Sequence, residues 1–78
     1  METVTHVSVH EDYTLEIKFN TGETRLFDAR PYLGKGGVTR LKDPALFKQV
    51  YIAFDTVCWP GNLDIAPETL YDRSRPIR

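Results

Sequence analysis

The stretch that decides the fold is Tyr13-Thr14-Leu15-Glu16-Ile17-Lys18-Phe19-Asn20, in which apolar and polar side chains alternate without interruption. A period of two places alternate side chains on opposite faces of a β-strand. The stretch therefore predicts a strand with one buried and one solvated face, as antiparallel sheets commonly have. The predicted buried face consists of Tyr13, Leu15, Ile17 and Phe19.

Further strands are predicted on both sides of this stretch. A turn at Asn20-Thr21-Gly22-Glu23 places glycine where a positive φ is needed. The strand after it breaks the alternation at Leu26-Phe27, which predicts a bulge or burial of both faces. A second hairpin is predicted to turn at Asp55-Thr56. The predicted strands cover residues 4–9, 13–20, 23–28, 51–54 and 57–59.

Proline marks the start of two or three short helices, predicted over residues 29–33, 43–49 and 67–71. Asp43 is a suitable N-cap for the second of them. We therefore expect an α+β fold, a small antiparallel sheet of two hairpins with about five strands. Phe47 and Leu70 are expected to join the core. The 78 residues are interpreted as one domain, with a core over 4–71 and a basic tail over 72–78.

Amino-acid composition limits the partners and the cellular location that can be expected. A net charge of −1 gives no general attraction to nucleic acid or to an anionic membrane. The single cysteine, Cys58, excludes an internal disulfide and suits a reducing compartment. The N-terminus lacks the pattern of a signal peptide, and no apolar run approaches the ~20 residues of a membrane span. The predicted location is the cytoplasm.

No constellation in the sequence predicts catalysis, a metal or a cofactor. His6 and His10 lie with Glu11 and Asp12, but four residues along a strand separate Cα atoms by about 13 Å, too far for one zinc ion. The segment 34–39, which contains Lys35, lacks the spacing of a phosphate-binding P-loop. Cys58 has no histidine near it in sequence and is expected to be a small, largely buried hydrophobe. We therefore expect a protein that is not an enzyme.

The segment from Trp59 to Tyr71 holds the candidate interaction residues, which are Trp59, Asn62, Asp64 and Tyr71. Trp59 is expected in the core more than at a binding hot spot. Asp64 is expected to accept backbone N–H bonds where the helix at Pro67 begins, since Ala66 is a poor cap. The alternative for Asp64 is an exposed recognition contact.

These residues carry a resemblance across about residues 4–71. The chain resembles the small bacterial domain-of-unknown-function family 2442, whose fold is described as like an N-terminal domain from a nitrifying bacterium. The matching positions include Tyr13-Thr14-Leu15, Gly22-Glu23, Phe27-Asp28, Leu41, Asp43, Phe47, Trp59-Pro60, Asp64 and Leu70-Tyr71. The resemblance implies an α+β domain without an established activity. Some members look fused to a helix-turn-helix domain, and others lie beside a second small family in arrangements like toxin–antitoxin pairs.

Two functions of different classes follow. The first is a protein-interaction or regulatory module, the antitoxin-like member of a two-protein pair, whose partner is encoded next door. An open sheet edge would also permit a homo-oligomer. The alternative is a nucleic-acid-associated accessory domain that uses Arg73, Arg75 and Arg78, although no sequence-specific nucleic-acid binding is expected.

Overall fold

A computed structural model describes residues 1–34 and 36–77, which form an α+β domain that is mostly β. Lys35, in the glycine-rich segment, and Arg78, in the predicted tail, lie outside the described residues. The strands are β1 (Val4–His10), β2 (Thr14–Phe19), β3 (Thr24–Asp28), β4 (Tyr51–Ala53), β5 (Thr56–Trp59), β6 (Leu63–Ile65) and β7 (Arg75–Pro76). The helices are α1 (Pro44–Phe47) and α2 (Pro67–Arg73), with 3-10 turns over Arg30–Tyr32 and Gly36–Lys42.

The strands form two antiparallel sheets. The first sheet has the order β1-β2-β3-β7, and the second has the order β4-β5-β6. The α+β class and the three predicted helical segments are confirmed, whereas the prediction of about five strands in one sheet is wrong. The two missed strands, β6 and β7, have three and two residues, too few to show a period.

The alternation that defines β2 is confirmed. Leu15 and Ile17 are fully buried, and Phe19 is 1% exposed. Tyr13 is an exception, because it precedes β2 at a positive φ of 57°. Its ring nevertheless meets the ring of Phe47 edge-on, with centroids 5.2 Å apart. The core also contains the predicted Phe47 and Leu70.

Of the two alternatives predicted for β3, a bulge or burial of both faces, the bulge is wrong. β2 and β3 pair in continuous register, while the irregularity falls in β1 between Val4 and His6. The adjacent apolar residues Leu26 and Phe27 of β3 are explained by partial or full burial on both faces of the strand. Phe27 is buried in the core, and Leu26, on the opposite face, is half-buried beside β7.

The predicted basic tail is a structured part of the domain as far as residue 77. α2 continues to Arg73, and β7 pairs with β3 through Leu26 and Arg75. Between them lies Ser74, which is buried. Arg25 holds it by donating from Nε to Ser74 Oγ and from Nη2 to the Ser74 carbonyl, both at 2.8 Å. The predicted basic tail is thus packed onto the domain as far as residue 77, although Arg73 and Arg75 themselves are exposed.

Candidate interaction surface

The four candidate residues separate into two inward-facing aromatics and two exposed polar residues. Trp59 is fully buried and Tyr71 is half-buried. Asn62 and Asp64 are exposed, Asn62 in the turn between β5 and β6 and Asp64 in β6 itself. The structure does not bring all four together at one site.

Trp59 is a core residue. Its Nε1–H donates to the Phe47 carbonyl at 2.8 Å, and the two rings stack with centroids 5.7 Å apart. This bond satisfies a carbonyl at the end of α1, where helices leave acceptors without intrahelical donors. Trp59 thus joins α1 to the second sheet, and its role is structural.

Tyr71 joins α2 to the first sheet. Its hydroxyl donates to Glu23 Oε1 at 2.5 Å, and the Arg25 guanidinium lies 4.4 Å from the centre of its ring. The Tyr71 hydrogen bond is the main cause that lowers the pKa of Glu23, and the same bond raises the pKa of Tyr71. Tyr71, Glu23 and Arg25 therefore form a hydrogen-bonded and ion-paired cluster that holds α2 against the first sheet.

Asp64 does not cap α2, so the prediction of a structural acceptor is wrong. The residue before α2 is Ala66, which makes no side-chain bond, and Asp64 accepts no hydrogen bond from the described residues. Strand alternation is the reason, since Leu63 and Ile65 point into the core and Asp64 points outward. Pro67 also removes one N–H from the first turn, which lessens the need for a cap.

Asp64 belongs to a row of side chains on the outer face of the second sheet. Tyr51 pairs with Cys58, and Cys58 pairs with Asp64. Cys58, in the middle, is only 5% exposed and contacts the Ala53 carbonyl at 3.6 Å. Burial, reinforced by the Asp64 charge, raises the pKa of its thiol, which disfavours the reactive thiolate.

The turn between β4 and β5 presents an aromatic ring to solvent. Ala53 pairs with Thr56, so the turn is Phe54-Asp55 and not the predicted Asp55-Thr56. Both turn residues have positive φ, 53° and 65°, as in a type I′ hairpin that normally favours Asn-Gly. Phe54 is nevertheless 89% exposed. A bulky residue in this region costs about 1–2 kcal/mol, and here no burial offsets that cost.

Phe54 was missed because the predicted register differed by one residue. That difference placed it at the end of a strand, where a phenylalanine is ordinary. The recognisable signal is a phenylalanine followed by aspartate between two short apolar runs, where turn chemistry calls for a small or polar residue.

The exposed residues of the β4–β5 turn and of the outer face of the second sheet surround a shallow cavity of about 140 Å³. Its exposed rim consists of Tyr51, Phe54, Asn62 and Asp64, which we call the hairpin surface, and Cys58 lies in its floor. Tyr51 is 48% exposed. Neither Asp64 nor the adjacent Asp55 forms an ion pair with a described residue. The surface therefore combines uncovered aromatic area with two carboxylates that form no ion pair, while the Arg40 guanidinium lies beside it against Gly61.

The described residues contain no group of three or more His, Cys, Asp or Glu side chains that could hold a metal ion. His10 lies instead beside Glu16, with Nε2 and Oε1 2.9 Å apart. Within the same residues, no helix has the length and apolar character needed to cross a membrane.

The fold and this surface define a small two-sheet α+β domain. Comparison with known families places it further, because the chain matches DUF2442, described as "protein of unknown function", over residues 4–76. The chain belongs to this family. Neither the curated proteins nor the solved structures contain a match to it.

Proposed function

We propose that this chain is a bacterial, cytoplasmic, non-enzymatic protein-interaction module that binds a partner protein through the hairpin surface. The observation that supports this proposal most strongly is the exposure of Phe54, whose side chain is 89% exposed at a backbone φ of 53°. An asparagine or glycine would fit this turn without the same strain. An unfavourable residue at a turn tip, kept without a packing role, supports a role outside the folded domain.

The charge of the surface suggests the chemistry of the partner. Asp64 lies at the cavity rim with Tyr51 and Phe54, and Asp55 follows Phe54 in the turn; neither carboxylate forms an ion pair with a described residue. A complementary segment would place an apolar side chain against the rings and a lysine or arginine beside the carboxylates. Burial of the rings would supply affinity, and the charges would supply orientation and rate.

A regulatory role follows from such a surface if the partner is a protein made together with this chain. The module would then act as the antitoxin-like member of a pair by covering a basic and apolar site on the partner. This extension depends on the protein encoded beside the chain, so that protein is the probe in the experiment.

The experiment measures binding between this purified chain and the purified product of the adjacent reading frame, by calorimetry with nuclease-treated samples. We expect saturable binding that Phe54→Asn weakens by at least about tenfold, the effect of losing one hot-spot aromatic. Asp64→Asn should weaken it less and reduce its dependence on salt.

Ile77→Asn is the matched control, because Ile77 is also apolar and is 38% exposed but lies next to β7 in the first sheet. It should leave affinity unchanged. Absence of binding, or equal losses for the Phe54 and Ile77 variants, would refute the proposal. Self-association abolished by Phe54→Asn would assign the surface to a second copy of this chain and would also refute a hetero-partner.

A further inference from the structure

The predicted basic tail forms one wall of a cleft. The cleft has a volume of about 340 Å³ and lies on the outer face of the first sheet, away from the residues of the hairpin surface. Its lining contains Arg30, Arg73 and Arg75, together with Asp28. Thr14 and Leu26 complete it.

The charge of the cleft is opposite to that of the whole chain. Three guanidinium groups and one carboxylate leave it with two positive charges, whereas the protein carries −1. Asp28 is already engaged, since it accepts from Arg30 Nε at 3.0 Å and from Arg30 Nη2 at 2.8 Å. The same bonds lower the pKa of Asp28 and raise that of Arg30, on which a second carboxylate, Asp12, also acts.

The side chains of Arg73 and Arg75 have no hydrogen-bonding or ion-pair partner among the described residues. Their backbone, however, is fixed. Ser74, between them, is bound by Arg25 through both its hydroxyl and its carbonyl, and its hydroxyl donates to the Tyr71 carbonyl at 3.0 Å. A buried anchor thus fixes the backbone from which both arginines extend, which reduces part of the ordering cost of binding an anion.

We propose that this cleft is a binding site for a phosphate-type oxyanion. Arginine presents its N–H groups in a planar fork that matches the oxygens of phosphate. The guanidinium N–H groups of Arg73 and Arg75 have no acceptor within the described part of the chain and are available to an anion. Arg30 bonds Asp28 through Nε and Nη2, so the N–H groups of its Nη1 also remain available. The site is independent of the hairpin surface and of the proposed partner.

The experiment titrates the full chain with inorganic phosphate, pyrophosphate and a short single-stranded oligonucleotide, with sodium chloride at matched ionic strength as reference. Amide NMR shifts and thermal unfolding are followed. We expect saturable shifts at Thr14, Leu26 and residues 73–75, and an unfolding temperature that rises with phosphate or pyrophosphate but not with chloride, since a ligand of the native state stabilises it.

Arg73→Gln and Arg75→Gln should each weaken affinity by about tenfold, as expected for a charge-assisted hydrogen bond. Lys48→Gln, which removes an exposed cation outside the cleft, should leave affinity unchanged. A tighter oligonucleotide complex through the same arginines would identify nucleic-acid phosphates as the source, and pyrophosphate alone would identify a small phosphate ester. Shifts no larger than those in chloride, or affinity indifferent to both arginine substitutions, would overturn the site.

Discussion

The substitution Trp59→Phe separates the contribution of one buried hydrogen bond from that of the surrounding core. Phenylalanine keeps a ring against Phe47 but removes the Nε1–H that donates to the Phe47 carbonyl. The smaller ring buries roughly 40 Å² less apolar surface, a loss of ~1 kcal/mol. The buried carbonyl left without a donor costs a further ~1–3 kcal/mol.

Together these effects should lower the free energy of unfolding by about 2–4 kcal/mol. A domain of this length has a total of about 4–12 kcal/mol, so the variant should be markedly weakened and, at the low end of that range, only marginally folded. Urea unfolding followed by circular dichroism measures the change, because the variant lacks the tryptophan needed for fluorescence. With an m value of ~1 kcal/mol/M, the midpoint should fall by about 2–4 M.

Phe47→Leu is the matched control, since it removes the stacked ring but leaves the backbone carbonyl bonded to Trp59. It should lower stability by the lost packing alone, ~1–2 kcal/mol, because the leucine fills most of the site. A loss below about 1 kcal/mol for Trp59→Phe would refute the reasoning, because it would mean that the Phe47 carbonyl is satisfied without the indole.

Three further predictions concern the fold and its charges. Leu15→Ala should cost ~2–5 kcal/mol in urea unfolding followed by Trp59 fluorescence, since Leu15 is fully buried, and an unchanged midpoint would contradict its core position. Glu23→Gln should lower stability at neutral pH, because Tyr71 lowers the pKa of Glu23 and the resulting stabilisation is complete above the unfolded pKa of about 4.3. The difference from wild type should shrink as the pH falls below that value and vanish only below the lowered folded-state pKa, and a constant difference would argue against the ionised pair. Asp64→Ala should change stability by less than about 0.5 kcal/mol, and a larger loss would restore a structural role to this carboxylate.

The parts of the fold predicted from sequence are those with a periodic or capping signal several residues long. β2 shows the period of two over its whole length, and Asp43 does accept a bond from the Ala45 amide at 3.0 Å before Pro44–Phe47. β6 and β7 lack such a signal, because their pairing is decided by tertiary contacts. β7 in particular depends on the distant side chain of Arg25.

The candidate surface was predicted only in part for a related reason. Asn62 and Asp64 stand out in sequence as polar residues in an apolar segment, and both lie at the cavity rim. Phe54 and Tyr51 do not stand out, since aromatic residues in a predicted strand are expected in the core. A one-residue change of hairpin register moves such a side chain between core and solvent, and a single sequence does not fix that register.

The pairing of β3 with β7 has a consequence for synthesis on the ribosome. β1, β2 and β3 leave the exit tunnel consecutively and can pair as a meander while the second sheet is still being translated. The outer edge of β3 then has open hydrogen-bonding groups until residues 75–76 emerge and close it. The nascent chain therefore passes through an interval in which a strand from another polypeptide could occupy that edge. A short proline-containing final strand ends this interval and adds little new edge of its own, because Pro76 has no N–H to offer a neighbour.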